Sequence, residues 1–291
     1  MPDAPFALVL HGGAGAMRAR DYSPQMRHLA GLIEQGRGRL ASGASSLDVV
    51  VEMVGELEAS GLYVAGRGAP PNPEGLYELD ASLMDGESGK AGAVAALQGF
   101  QSPIAVARTV MERTPHVLLA GAGAAAFARN EGLAAIEDEA AWFTGFDRSR
   151  GLSANEKPHG TVGCVALDQQ GRLAAGTSTG GTRGKLFGRV GDSPIIGAGT
   201  WADRNVAVSC TGIGEAFIRS AAAAQVAFRI RLVGQELEAA AKAALQEALE
   251  QGGDGGLIAV DREGRIATPF TSQGMARAAL HPDGRVSVEV F

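Results

Sequence analysis

Several things are scarce in this chain, and each scarcity closes off a class of function. Cysteine is limited to Cys164 and Cys210. Both stand inside apolar, strand-like runs, and there is no Cys-x-x-Cys pair or Cys/His cluster of the kind that holds zinc. Two reduced, buried thiols in a cytoplasmic protein are the expectation, and no metal is assigned. No stretch of about 20 apolar residues occurs, so no membrane span is predicted. The opening Met1-Pro2-Asp3-Ala4-Pro5 lacks the basic and apolar regions of a secretion signal. No Lys/Arg run forms a nucleic-acid footprint, and the net charge of −6 is mild. The expected partner is therefore a small molecule rather than a nucleic acid or a membrane.

What is abundant is glycine, 42 of 291 residues, in a chain that is 45% hydrophobic. That length and apolar content can fill a large core, read here as a single domain over residues 1–291. Glycine weakens ordinary helices and strands, so its abundance points to tight turns and close backbone approaches. A strand over Phe6 to Leu10 runs into His11-Gly12-Gly13-Ala14-Gly15. Helices are predicted from about Gln25 to Leu40 and from the N-cap Ser45, with Asp48 at the capping-box position, to Gly61. Prolines make residues 67–75 irregular. Glu78 to Ala81 reads as a strand leading to a turn at Asp85-Gly86, with Asp80 and Asp85 tying down turns. Ser102-Pro103 opens a helix to about Arg113, and another helix covers about Ala122 to Arg129. Residues 137–158 read as a surface connector ending at His159. Strands follow at Thr161 to Leu167, Leu173 to Thr177 and Val206 to Cys210. Helices are expected over about Glu215 to Leu232 and Glu236 to Leu249. Two hairpins close the chain, around Arg262-Glu263-Gly264 and His281-Pro282-Asp283-Gly284. Strands and helices come in blocks rather than in strict alternation, which favours antiparallel sheets covered by helix pairs, an α+β class.

Three motif readings compete for the chemistry. Gly121-Ala122-Gly123-Ala124-Ala125-Ala126 has a dinucleotide-like GxGxxA spacing, but no second apolar strand follows to complete a βαβ unit. Gly176-Thr177-Ser178-Thr179-Gly180 fits GxSxG. It would make Ser178 the nucleophile of an α/β-hydrolase, with Asp192 or Asp203 as acid, His281 as base and His11-Gly12-Gly13 as oxyanion loop. That elbow needs a helix directly after the serine, whereas Gly181-Thr182-Arg183-Gly184-Lys185 is too glycine-rich for one. The third reading starts from His159-Gly160-Thr161-Val162-Gly163. A cut between Gly160 and Thr161 would leave Thr161 carrying both a hydroxyl nucleophile and a free α-amine of pKa about 7.7 to 8.0 as its base.

That third motif keeps specific company. Ser178-Thr179-Gly180-Gly181, Gly188-Arg189-Val190-Gly191-Asp192-Ser193-Pro194 and Cys210-Thr211-Gly212-Ile213-Gly214-Glu215 follow it in order. His11-Gly12-Gly13-Ala14-Gly15 and residues 78–86 precede it. Together they resemble the plant-type L-asparaginase/isoaspartyl aminopeptidase family of N-terminal-nucleophile hydrolases over almost the whole chain. Gly160, where glycosylasparaginases have aspartate, favours the asparaginase branch.

The resemblance implies a four-layer αββα sandwich made as a precursor that cuts itself into an α chain, 1–160, and a β chain, 161–291. It implies that Thr161 is the nucleophile, that Thr179 orients its hydroxyl, and that Thr211 with the Gly212 N–H forms the oxyanion hole. It further implies that Arg189 holds the substrate α-carboxylate, that Asp192 accepts from the α-ammonium, and that Gly214 lines the pocket. His11 anchors the glycine loop, and His159 contributes to precursor geometry. The substrates implied are asparagine or β-aspartyl dipeptides, and the assembly a homodimer of αβ units. Two departures stand out. Val64 replaces a family asparagine that helps position the nucleophile's amine, which predicts slower turnover or a shifted preference. The loop that often holds sodium through its carbonyls is replaced by the proline-rich residues 69–75, so no cofactor is assigned. A chain that never cleaves and only binds its ligand is the non-catalytic alternative.

Overall fold

The computed structural model describes residues 6–144 and 160–291. The expectations for Met1 to Pro5, for His159 and for most of the 137–158 connector lie outside the described residues. Among those described, the strands form two sheets. The larger contains β1 (Ala7–Ala14), β2 (Leu79–Asp85), β3 (Ala91–Leu97), β4 (Leu118–Ala120), β5 (Val162–Leu167), β6 (Leu173–Thr179), β11 (Met275–Leu280) and β12 (Val286–Glu289). Its eight strands lie in the order β12-β11-β1-β5-β6-β2-β3-β4. The smaller sheet is built from β7 (Thr200–Ala202), β8 (Val206–Gly212), β9 (Gly255–Asp261) and β10 (Ile266–Ala267), in the order β10-β9-β8-β7. Pairing is antiparallel except between β3 and β4, which α3 (Pro103–Arg113) connects.

Strand alternation builds three stacked cores. On one face of the large sheet, Leu8, Leu10, Cys164, Ala166 and Leu83 pack against α1 (Ser23–Ala41), α2 (Ser46–Ala59) and α3 through Leu29, Ile33, Val50, Met53 and Ile104. The other face sends Val9, Val165, Leu167 and Ala175 against Ala207, Ile258 and Val260 of the small sheet. Beyond it, Val208, Cys210 and Leu257 meet α6 (Gly214–Ser220), α7 (Ala222–Val233) and α8 (Leu237–Glu250) through Phe217, Val226, Ala244 and Leu245. Central β5 is buried along its whole length, so its sequence reads as a continuous apolar run rather than an alternating one.

Local signals explain most element ends. The Ser45 hydroxyl caps α2 by accepting the Asp48 N–H, as its sequence suggests. At α3 the Ser102 cap is reinforced by the buried Glu58, which accepts the Ser102 hydroxyl at 2.6 Å and the Ile104 N–H at 3.0 Å. A carboxylate there also suits the positive end of the helix dipole.

Elsewhere the expectations need correction. Helix α2 stops at Ala59 rather than Gly61. The helix expected over Glu215 to Leu232 breaks at Ala221, which takes a left-handed conformation with φ 50°. The freed N–H groups of Ala223 and Ala224 bond to the carbonyls of Ala198 and Gly197, so tertiary partners take over where helix propensity alone would continue. Asp80 sits inside β2, not in a turn, and accepts the Ala96 N–H at 2.7 Å beside a register shift in β3. Asp85 does cap its turn, through the N–H groups of Glu87 and Ser88. The connector carries a short helix, α5 (Glu139–Trp142), and Phe143 stacks on Tyr77 with ring centroids 3.6 Å apart. The remaining helix, α4 (Gly121–Asn130), holds the GxGxxA glycines and is followed by no strand that would complete a nucleotide-binding unit among the described residues. No helix among the described residues is long and apolar enough to cross a membrane.

Candidate active site

Thr161 stands at the head of β5, 7% exposed, at the end of the space between the sheets. Its hydroxyl donates to Thr179 Oγ1 at 3.2 Å and lies 3.5 Å from Ser193 Oγ. Thr179 ends β6, where its Oγ1 accepts the Gly181 N–H at 3.0 Å and faces the Val64 carbonyl at 3.4 Å. The Gly160 carbonyl, on the peptide bond ahead of Thr161, accepts the Val64 N–H at 3.1 Å. Main-chain groups of residue 64 therefore engage both sides of the Thr161 surroundings. The Val64 side chain packs on Gly160, where an added Cβ would come within 2.7 Å of Cγ2. Gly13 closes from the other side. It has φ +104°, and a Cβ there would stand 2.4 Å from Gly160 Cα, a backbone atom that cannot yield.

A small cleft is lined by Gly160, Thr161, Thr179, Arg189, Asp192 and Gly212, joined by Gly181, Thr182, Gly191 and Ser193. Thr211 sits behind this wall, fully buried, its Oγ1 accepting the Ala14 N–H at 3.1 Å. That bond leaves the Thr211 proton for another acceptor. Gly214 lies behind Asp192, and a Cβ there would be 2.9 Å from Asp192 Oδ1. A larger cavity of about 600 Å³, between α8 and residues 269–271, contains none of these groups.

The electrostatics of the cleft are uneven. Asp192 is buried with Oδ2 unpartnered among the described residues, and desolvation pushes its carboxyl up to about 7, against the pull of Arg189. Arg189 turns its fork on Glu215, with Nε and one terminal nitrogen 2.9 and 3.0 Å from the two carboxylate oxygens. The sequence assigns Arg189 and Asp192 to the two ends of a substrate and gives no role to Glu215, although Glu215 closes one of the motifs. It also gives no role to Ser193, one residue beyond Asp192. Lys185 is a further surprise. It is buried, donates to the Glu78 carbonyl at 2.6 Å, and has its ammonium pKa lowered by desolvation. Glu78 in turn accepts the Gly188 N–H at 2.9 Å, so the loop carrying Arg189 is pinned from beneath.

The proline-rich residues 69–75, to which no cation is assigned, are held by their own main chain. The Asn72 carbonyl accepts the Gly75 N–H and the Leu76 carbonyl accepts the Asn72 N–H, so the loop closes on itself. No step below is routed through a cation.

The residues that the motifs single out thus meet around one hydroxyl. The family model described as asparaginase matches residues 4–289 of the chain. The chain belongs to the asparaginase family. An isoaspartyl peptidase of Salmonella typhimurium is 46% identical, covering 93% of this chain and 94% of its own. One of Escherichia coli is 44% identical over 93% and 91%. A plant-type L-asparaginase of Pyrobaculum calidifontis is 40% identical over 97% and 99%. As a member of the asparaginase family the protein is a hydrolase.

The competing serine reading is overturned. Ser178 lies within β6 and is fully buried, with no turn into a helix after it. Strand alternation puts it on the face opposite Thr179, toward α2 and α3. The fold of an asparaginase-family member also places His11 inside β1 rather than in a loop, with its ring buried between the sheets.

Proposed function

We propose that this protein is an autoprocessing threonine amidohydrolase that cleaves the side-chain amide of L-asparagine and the isopeptide bond of β-aspartyl dipeptides. The observation that carries this reading is the buried Thr161 hydroxyl, 3.2 Å from Thr179 Oγ1, in a cleft shared with Arg189 and Asp192. The printed names of the relatives support the substrate class. The three stacked cores support a four-layer αββα sandwich, a single domain divided by the cut.

In the precursor, Thr161 Oγ1 attacks the Gly160 carbonyl carbon, whose oxygen is polarised by the Val64 N–H. The C–O bond forms, the C–N bond breaks, and the hydroxyl proton ends on the departing nitrogen. Water then cleaves the ester, giving a Gly160 carboxylate and a Thr161 with a free α-amine. That amine takes the hydroxyl proton as Oγ1 attacks the substrate amide carbon. The Thr211 hydroxyl and the Gly212 N–H stabilise the oxyanion, and Gly214 backs the pocket. The α-ammonium returns the proton to the departing ammonia or amine, and water releases aspartate from the ester. Arg189, sharing its fork with Glu215, holds the substrate α-carboxylate, and Asp192 accepts from its α-ammonium. Two αβ units form a homodimer, and the setting is the cytoplasm.

Intact-mass measurement on protein incubated to completion is expected to give two chains divided between Gly160 and Thr161. Ammonia release from asparagine, set against hydrolysis of β-aspartyl-leucine, then ranks the substrates. A single full-length mass from fully active protein sinks the reading. Val64→Asn is expected to raise kcat about tenfold by giving the α-amine a side-chain hydrogen-bond partner. Unchanged kcat in that variant means that the main chain of residue 64 already does this work.

A further inference from the structure

The apolar core between the sheets stops short of Thr161, and hydroxyls replace it there. Ser209 Oγ lies 2.9 Å from His11 Nε2 and 2.7 Å from Thr177 Oγ1. Thr177 Oγ1 is 2.6 Å from Thr200 Oγ1, which is 2.8 Å from Ser82 Oγ. Ser82 Oγ ends the series 2.6 Å from the main-chain oxygen of Ser193. Every one of these side chains is buried, and together they come from β1, β8, β6, β7 and β2. The series finishes on the loop that carries Asp192.

The hydroxyl protons are shared along this chain. Ser82 donates to the Ser193 carbonyl and bears on Thr200, Thr200 donates to Thr177, and the Thr177–Ser209 contact can run in either direction. Thr177 also reaches the Gly199 carbonyl at 3.2 Å. Burial keeps the His11 ring neutral, and the Thr161 main chain opposes that effect, as an oxygen accepting from the ring does. Nδ1 is buried and has no hydrogen-bond partner among the described residues. Gly163 completes the connection. A Cβ there would stand 2.0 Å from Ser209 Oγ and 2.3 Å from His11 Nε2, so the first link rests directly on the nucleophile's strand, two residues from Thr161.

We propose that this hydroxyl chain is a positioning relay for Thr161, holding the neutral His11 ring against the Thr161 main chain and tying β5 to the Asp192–Ser193 loop. It rests on the reading of Thr161 as nucleophile. None of its side chains touches substrate.

Ring ¹⁵N and ¹³C spectra of histidine-labelled full-length protein test it without any substitution. The expected result is a His11 ring that stays neutral from pH 6 to 8. An imidazolium overturns the relay. Among variants, Thr177→Val is expected to lower kcat about tenfold or more with KM within about twofold, because a displaced nucleophile loses rate rather than binding. Thr177→Ser, which keeps the proton, is expected to restore kcat to within about threefold. A folded Thr177→Val enzyme with unchanged kcat overturns the proposal while leaving the Thr161 chemistry standing. If that variant does not fold, Ser209→Ala serves in its place, with the same lowered kcat and near-constant KM expected. Hydrolysis that survives Thr161→Ala defeats the underlying reading instead.

Discussion

Replacing Thr161 by alanine is expected to leave the chain as one 29.7 kDa species and to lower kcat/KM by about four orders of magnitude or more. The size of the loss follows from the number of jobs the residue holds. In the proposed mechanism its hydroxyl is the attacking group in the self-cut and in turnover, and the cut creates the base. Removing Oγ1 therefore stops maturation and chemistry together. Stability should hardly change, because among the described residues the hydroxyl makes only contacts of 3.2 and 3.5 Å, and one modest hydrogen bond contributes about 1 kcal/mol. Thr161→Ser, which keeps the hydroxyl, should still mature. Electrophoresis after prolonged incubation and an ammonia-release assay read both outcomes. A Thr161→Ala chain that still divides at residue 160, or still turns over, removes the basis of the mechanism.

The cleft was legible in the sequence to the extent that chemistry and chain order coincide. Gly160, Thr161, Thr179, Arg189, Asp192 and Gly212 stand in short glycine-framed motifs, and they share one cleft because β5, β6 and β8 deliver them from one end of the two sheets. What the motifs could not reveal depends on alternation across sheets. Ser82, Thr177, Thr200 and Ser209 look like ordinary strand residues until the two sheets are stacked and all four fall on facing surfaces. Nothing in the motifs marks Glu215 or Lys185 for a role, yet one binds Arg189 and the other is buried beneath its loop. Among the elements, β3 was missed because Ala91–Leu97 is alanine-rich and poor in the β-branched residues that mark strands. The break at Ala221 was invisible because alanines continue beyond it, and only the carbonyls of residues 197 and 198 displace the helical bonds.

Asp192→Asn should give the second largest effect, raising KM by about tenfold to a hundredfold with a smaller change in kcat. A hydrogen bond to a charged partner contributes about 1.5 to 3 kcal/mol, and in the proposed binding mode the substrate ammonium makes this one equally in ground and transition states. The pH dependence separates charge from shape. Burial raises the Asp192 carboxyl to about 7, so in free enzyme it is neutral below that pH and attracts the ammonium only above it. In the wild type, kcat/KM is expected to rise with pH through about 7, then again as the Thr161 amine loses its proton near 8. The asparagine variant should keep the second rise and lose the first. Stability should move the opposite way. The folded carboxyl titrates above its unfolded value of 3.8, so the native state binds the extra proton. Burial of this group therefore begins to destabilise as pH climbs past about 4, and does so fully above about 7. The amide that replaces the carboxyl carries no charge to desolvate, so the variant's Tm should match the wild type near pH 4 and exceed it by a widening margin up to pH 7. Equal Tm values at pH 8, or a wild-type kcat/KM flat between pH 6 and 7.5, would show that Asp192 is ionised throughout and that its unpartnered oxygen has another donor.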